Sequence, residues 1–222
     1  MHLKQQARQE TREGHCCNHA SDSKHRADRQ IETARYEDGM LILASGIHEA
    51  GHVLASREFG FEVEWVSLDP NFLMTNALAV ENECASGAPV CMTMASHLLQ
   101  PIYERGCVIS RDEWSLIRNY YIQCLAGPMA EKLFNRHFQE EVAVRDMQQA
   151  DGILFDLMKP DKFRFRQKRK RFLREAFEHV EANSTIIYWL GYSIYSRQTI
   201  MRDEIDAAIE EAKQKAVNNV YQ

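Results

Sequence analysis

The sequence predicts a mainly α-helical domain with a small β-sheet beside its first helix. Over most of the chain after residue 38, apolar side chains recur every three or four residues, the period of a helix with one buried face. Only residues 61–68 clearly alternate apolar with polar side chains, as a half-buried strand does. The sequence contains neither an internal repeat nor a low-complexity tract. These observations favour one α-rich body over a solenoid or an all-β domain.

Two parts of different composition divide the 222 residues. Residues 1–38 are rich in Gln, Arg, Glu, His and Ser and hold few large apolar side chains, so they cannot bury enough surface to offset the entropy of ordering. We expect them to form a flexible polar arm. Residues 39–222 have the apolar content that a folded domain needs, and we expect one domain there.

Charge and cysteine content exclude several classes of protein. The net charge of −5 provides no general basic field, so no nucleic-acid partner is expected. No apolar run approaches the roughly 18 residues that a membrane span requires. The first residues lack the apolar core of an export signal, so the six cysteines are expected to be reduced thiols. A cytoplasmic protein without a membrane span is the resulting prediction.

The elements follow in order from these patterns. Leu43, Ile47, Ala50 and Leu54 predict a first helix that ends at Gly60. The strand at 61–68 stops at Asp69-Pro70, and a partner strand is expected at 76–80, followed by a loop. Helices are then predicted over Asp112–Phe134 (bent, if anywhere, at Pro128), Asp146–Met158, Phe163–Ser196 (as one helix or two) and Arg202–Val217.

The first helix carries the motif His48-Glu49-Ala50-Gly51-His52, an HExxH sequence. Residues four apart on a helix differ by only about 40° in direction, so both imidazoles face one point. Glu49 is offset by about 100°, where it can deprotonate a water molecule instead of binding the metal. Two imidazoles, a carboxylate and an open position are the ligand set of catalytic Zn²⁺. The alternative is two histidines with an unrelated glutamate, which the apolar rear face of the helix makes less favourable.

A third metal ligand is required, and the residue types alone do not choose it. Glu131, Asp146 and Asp151 are the candidates on the downstream helices. Asp146 is predicted to open its helix, where a carboxylate is favourable as a cap even without a metal. Glu131 can instead hydrogen-bond a ligand imidazole or serve only in helix packing.

Beyond the HExxH motif, several segments in order resemble the FtsH-type zinc metalloproteases, whose peptidase domain follows an AAA+ ATPase module. The resemblance covers about residues 40–212, nearly all of the predicted body. The matching segments are IHEAGHVLA (47–55), VEWVSLDP (63–70), LAGPMAEKLF (125–134), Arg145-Asp146 with Ala150, and the end of 189–205 with Thr199-Ile200 and Glu204-Ile205.

This resemblance implies a zincin-like helical peptidase domain with the small sheet beside the HExxH helix. It implies that His48, His52 and Asp146 bind Zn²⁺ and that Glu49 is the catalytic general base. Glu131 becomes a candidate for an outer contact to a ligand. The implied function is a metalloendopeptidase that hydrolyses peptide bonds of flexible or unfolded protein segments. The strand at 63–68 is expected to offer an edge to the extended substrate.

The sequence also departs from the family pattern. Pro128 and Arg145 stand where the family has an Arg and an Asn, and residues 84–110 do not follow the family pattern. The chain carries no GxxxxGK[ST] phosphate-binding loop, so we expect cleavage without ATP unless a separate ATPase supplies substrates. A non-catalytic peptide- or partner-binding pseudo-peptidase is the alternative, and retention of Glu49 argues against it. Family members form hexameric rings through the ATPase module, so an oligomer is conceivable but the oligomeric state stays open.

Two further segments have more than one interpretation. Residues 162–174 hold eight basic side chains interleaved with phenylalanines. They form either a solvated helix face, which charge runs usually are, or a patch for nucleic acid, anionic lipid or an acidic partner. The His- and Cys-containing stretch at 15–25 is either a disordered tract, a second metal site or an inhibitory lid on the zinc.

Overall fold

The computed structural model describes residues 43–76, 90–93, 95–105, 109–135, 138, 140–159 and 161–220. The predicted arm at 1–38, with its His/Cys stretch, lies outside these residues, as do the whole predicted loop at 83–89 and residues 77–80 of the expected second strand. The elements within the described ranges are α1 (residues 43–58), β1 (Val63–Ser67), α2 (Pro70–Asn76), β2 (Val90–Thr93), α3 (Ala95–Arg105), α4 (Arg111–Phe134), α5 (Glu140–Met158), α6 (Lys162–Ala182), α7 (Ser184–Arg197), β3 (Thr199–Met201) and α8 (Arg202–Val220).

The prediction of a mainly helical fold with a small sheet is confirmed. The three strands are antiparallel in the order β2-β1-β3. Val66 of β1 pairs with Cys91 on one side and with Ile200 on the other. The expectation that residues 63–68 offer a free edge is therefore wrong, because β1 is the central strand. The sequence did not reveal this, because β2 and β3 have only four and three residues.

Residues close in sequence explain the C-terminal end of α1 and the start of α4. Gly60 has φ 78°, a left-handed conformation that glycine adopts without steric cost, and the chain leaves α1 there as predicted. Ser110 and Glu113 form a reciprocal capping box at the start of α4. The helix continues through Pro128 to Phe134, so the proline does not end it.

Two predicted elements need correction, and one open alternative is decided. Helix α5 begins at Glu140, not Asp146, because its buried stripe already starts at Ala143 and continues through Ala150 and Leu154. Asp146 is therefore inside the helix and is not an N-cap. Asn76, expected in a second strand, ends α2 instead. Residues 163–196 form two helices, α6 and α7, with a break at Asn183.

Two clusters of buried side chains form the interior, and α4 contributes to both. One contains residues of α1, β1, α7 and α8, together with Ala126 and Ala130 of α4. The other contains residues of α3, α5 and α6, together with Tyr121 and Leu125 of α4. Helix α4 thus lies between α1 and α5, the two helices that carry the candidate metal ligands. None of the described helices is both long and apolar enough to cross a membrane.

Candidate metal centre

The two histidines of the HExxH motif converge on one point from α1. Their Nε2 atoms are 3.2 Å apart, and both side chains are buried. The spacing of four residues produces this convergence, since one helical turn brings the two rings to the same face. Glu49, between them in sequence, is 95% buried on the same helix.

Asp146 approaches the same point from α5. Its Oδ2 atom lies 3.3 Å from Nε2 of His48, and its Oδ1 atom lies 3.9 Å from Nε2 of His52. One ligand atom from each of the three residues can be chosen so that all lie within 4.8 Å of one another. Asp146 is less buried than the histidines, so this side of the cluster is the more accessible one.

The other nitrogen of each imidazole is held by a protein acceptor. Nδ1 of His52 donates to the backbone carbonyl of Gln123 at 2.8 Å, and Nδ1 of His48 donates to Oε2 of Glu131 at 3.0 Å. Glu131 is in turn oriented by Asn135, whose Nδ2 donates to Oε1 at 3.2 Å. Since each Nδ1 uses its proton in these bonds, an imidazole in its neutral form presents its Nε2 lone pair to the cluster.

Two of the three separations between the ligand atoms match a tetrahedrally bound metal ion of the size of zinc, whereas the third, 3.9 Å between Nε2 of His52 and Oδ1 of Asp146, is longer. Two atoms bound at about 2.0–2.1 Å to a tetrahedral zinc lie about 3.3–3.4 Å from each other. The separations of 3.2 Å between the two Nε2 atoms and 3.3 Å between Nε2 of His48 and Oδ2 of Asp146 are close to that value. The Nδ1 bonds to a carboxylate and to a carbonyl are the outer contacts that commonly orient histidine ligands. His48, His52 and Asp146 can therefore hold the ion.

The electrostatic environment favours a cation at the same place. Burial alone lowers the pKa of His48, but the hydrogen bonds with Asp146 and Glu131 and the charge of Glu49 raise it to about 10. Burial lowers the pKa of His52, and the charge of Asp146 opposes this without cancelling it. Burial also acts to raise the pKa of Asp146, yet its bond with His48 and the imidazole charges hold that pKa below its usual range. A proton or a metal ion must supply the positive charge that these carboxylates attract.

The close approach of α1 and α4 fixes the positions of the imidazole rings of His48 and His52. A Cβ atom on Gly51 would lie 2.4 Å from the carbonyl oxygen of Ala126, and a Cβ atom on Gly127 would lie 2.2 Å from Nε2 of His52. Any side chain at either position would collide with its neighbour, so the two glycines allow the helices to cross at backbone distance. The crossing brings the carbonyl of Gln123 to His52 and the carboxylate of Glu131 to His48.

The three carboxylates that the sequence offered as candidates for the third metal ligand lie at three different positions in the structure. Asp146 lies at the Nε2 atoms of the histidines, and Glu131 lies on the Nδ1 side of His48. Asp151 is elsewhere on α5, where it accepts hydrogen bonds from Tyr121 and Arg169. Burial and the bond to Asp151 raise the pKa of Tyr121 above its ordinary value.

Sequence reasoning missed two contributors, Gln123 and Asn135. Gln123 acts through its backbone carbonyl, and no residue type signals such a contact. Asn135 follows Glu131 by four residues, a spacing that brings side chains together on a helix, and this signal was available.

The sequence matches no protein-family model. A search of curated proteins likewise finds no match.

Proposed function

We propose that this chain is a zinc-dependent metalloendopeptidase with a zincin-like peptidase domain of the FtsH type. The observation that carries the proposal is the convergence of His48, His52 and Asp146 on one point, with Glu49 one residue along the same helix. A purely structural zinc site has no use for that additional buried carboxylate. The order of the family-like segments around these residues also supports the proposal.

His48, His52 and Asp146 would hold the zinc ion, which would supply Lewis-acid chemistry: a lower pKa for a water molecule at the site and polarisation of the scissile carbonyl. Glu49 takes a proton from the water as its oxygen attacks the carbonyl carbon, and then delivers this proton to the leaving amine when the C–N bond breaks. Glu49 is buried on α1 between the two histidines, so packed neighbours hold its carboxylate in place and limit its contact with solvent.

The neighbouring residues of the chain keep the ligands in position. Glu131 and the carbonyl of Gln123 fix both imidazoles in the tautomer that leaves Nε2 free for the metal. Asn135 keeps Glu131 in its orientation. These groups act on the ligands and do not touch the substrate, so they are positioning residues.

Flexible polypeptide is the substrate class that this proposal favours. An extended segment can add to the edge of a sheet through main-chain hydrogen bonds. Within the described ranges, β2 and β3 are the outer strands, so the substrate would add to one of these instead of to β1. Because the sequence lacks a phosphate-binding loop, we propose cleavage of peptides and unfolded segments without ATP, and a separate ATPase for folded substrates. Cytoplasmic residence remains part of the proposal.

Two aspartates on α5 provide a matched test of the ligand set. Asp146→Asn should lose zinc binding and casein cleavage together, because the substitution removes a charged ligand but keeps the side-chain size. Asp151→Asn is the control, since Asp151 binds Arg169 and Tyr121 and should leave zinc stoichiometry unchanged. Zinc content by atomic absorption and casein fragments by gel electrophoresis measure the two properties. Full zinc occupancy and cleavage in Asp146→Asn would contradict the proposal.

A further inference from the structure

The eight cations at residues 162–174 of α6 fall into two groups: those that contact a carboxylate or an aromatic ring, and those that do not. Four of the eight cations at 162–174 form ion pairs, in the combinations Arg164–Asp161, Arg169–Asp151, Arg171–Glu175 and Arg174–Glu178. Lys168 lies 4.1 Å from the centroid of the Trp114 ring, and burial lowers its pKa. Lys162, Arg166 and Lys170 remain, and no carboxylate of the described residues lies within ion-pairing distance of them.

These three cations form one stripe. They are spaced by four residues, so the stripe covers about 80° of the helix surface and about 12 Å of its length. Phe163, 69% exposed, lies within about 20° of Lys170 in direction and about two turns nearer the start of the helix. We call Lys162, Phe163, Arg166 and Lys170 the α6 basic face.

The opposite side of α6 is fixed to the rest of the domain. Phe172, Ala176 and Val180 are buried, and Glu175 accepts a hydrogen bond from Nε of Arg118 on α4. The helix also has an N-cap, because the side chain of Asp161 accepts hydrogen bonds from the backbone of Phe163 and Arg164. The α6 basic face is therefore preformed, and a ligand that binds it does not have to order the helix first.

The charge and shape of the α6 basic face restrict which ligand can bind to it. Three cations without partners call for an anionic surface, and an exposed phenylalanine beside them calls for an apolar layer that its ring can enter. Single-stranded nucleic acid is held in grooves lined by stacking aromatic rings, whereas this face is the convex outer side of a helix with one such ring. The acidic residues of α6 lie in its second half, where Glu175 is bound by Arg118 and Arg171 and is followed by Glu178 and Glu181.

We propose that the α6 basic face docks the protein on an anionic phospholipid bilayer. Lys162, Arg166 and Lys170 pair with headgroup phosphates, and Phe163 enters the boundary between headgroups and acyl chains. The contact is peripheral and reversible, because three cations and one aromatic side chain supply far less binding energy than a membrane span. This proposal does not depend on the metal centre.

Vesicle flotation tests the docking. The full chain should float with phosphatidylcholine vesicles that contain about one-third phosphatidylglycerol and should not float with phosphatidylcholine alone. The triple variant Lys162→Gln/Arg166→Gln/Lys170→Gln should bind on the order of a hundredfold more weakly, at roughly fivefold per cation. Phe163→Ala should weaken binding by roughly tenfold.

Matched variants distinguish binding through the α6 basic face from binding that depends only on the net charge of the protein. Arg197→Gln/Arg202→Gln/Lys213→Gln removes the same charge from exposed sites outside α6 and should bind the anionic vesicles like the wild type. Lys162→Arg/Lys170→Arg should also retain binding, since it keeps the charges. Circular dichroism spectra should be unchanged in all four variants, which shows that they are folded.

Three results would overturn the proposal. The first is absence of flotation by the wild type with anionic vesicles at low salt. The second is an equal loss of vesicle binding in the two charge-removing triple variants, because net charge and not the α6 basic face would then be responsible. The third is tight binding of a single-stranded oligonucleotide that displaces the protein from vesicles and is lost in the α6 triple variant, which would assign the face to nucleic acid.

Discussion

Gly127 is the position where a single methyl group tests the packing around the metal centre. The substitution Gly127→Ala would place a Cβ atom 2.2 Å from Nε2, 2.6 Å from Cδ2 and 2.7 Å from Cε1 of His52. Ordinary van der Waals contact begins near 3.4 Å. The imidazole must therefore move by about 1 Å or turn away, whereas metal–ligand distances tolerate only about 0.2 Å.

The expected loss of zinc affinity exceeds the ten- to hundredfold that removal of an outer contact costs, because a ligand itself is displaced. The domain should remain folded. Overpacking costs about 1–3 kcal/mol, and replacement of a helical glycine by alanine recovers up to about 1 kcal/mol through helix propensity. The two properties should therefore separate, with zinc binding lost and the far-UV spectrum retained.

Competition with a chromophoric chelator measures the affinity, and thermal unfolding measures the stability. Gly152→Ala is the control, since it makes the same change in α5 at an exposed position with no atom within 4 Å of the added methyl group. It should bind zinc normally and unfold at an equal or higher temperature. If Gly127→Ala is folded and binds zinc within threefold of wild type, the crossing of α1 and α4 at His52 is wrong.

Two other buried groups give further predictions. Glu131→Gln should weaken zinc binding by roughly tenfold and retain cleavage at saturating zinc, because a neutral amide holds Nδ1 of His48 less strongly. Unchanged zinc affinity in chelator competition would show that Glu131 serves only in packing. Burial lowers the pKa of His179 despite the nearby Glu58, and its Nε2 atom has no hydrogen-bond partner among the described residues. The unfolded chain therefore binds the proton more readily, so stability should fall as the pH drops below 6.5, by at most about 1.4 kcal/mol per pH unit from this group. His179→Phe should reduce the slope of unfolding free energy against pH in urea titrations, and an unaltered slope would assign the acid sensitivity to other groups.

Local patterns predicted the longer elements of the fold. Helices α1, α4, α6, α7 and α8 and strand β1 follow from apolar spacing and from glycine or proline signals that act within a few residues. The sequence did not reveal β2, β3 and α2, because three to seven residues contain too little periodicity to be recognised. The 11-residue helix α3 was also missed, in a stretch that had been interpreted as a linker. The central position of β1 was missed for the same reason, since its neighbours come from distant parts of the chain.

The sequence likewise predicted part of the candidate metal centre and missed the rest. The HExxH spacing predicts the convergence of His48 and His52, because the helix itself produces it. The start of α5 was placed six residues too late, so Asp146 had the appearance of a helix cap until the structure placed it inside the helix. The acceptors at the Nδ1 atoms depend on the crossing of α1 and α4, which is a tertiary feature that spacing along one helix cannot reveal.

Casein cleavage by the zinc-loaded wild type, compared with Glu49→Gln and without ATP, tests the central claim most directly. The wild type should produce fragments over time, and Glu49→Gln should bind zinc with the same stoichiometry but produce none, because the amide cannot accept the proton of the attacking water. Cleavage by Glu49→Gln at the wild-type rate would contradict the mechanism. Zinc binding without cleavage by either protein would contradict the peptidase function and favour a non-catalytic binding module.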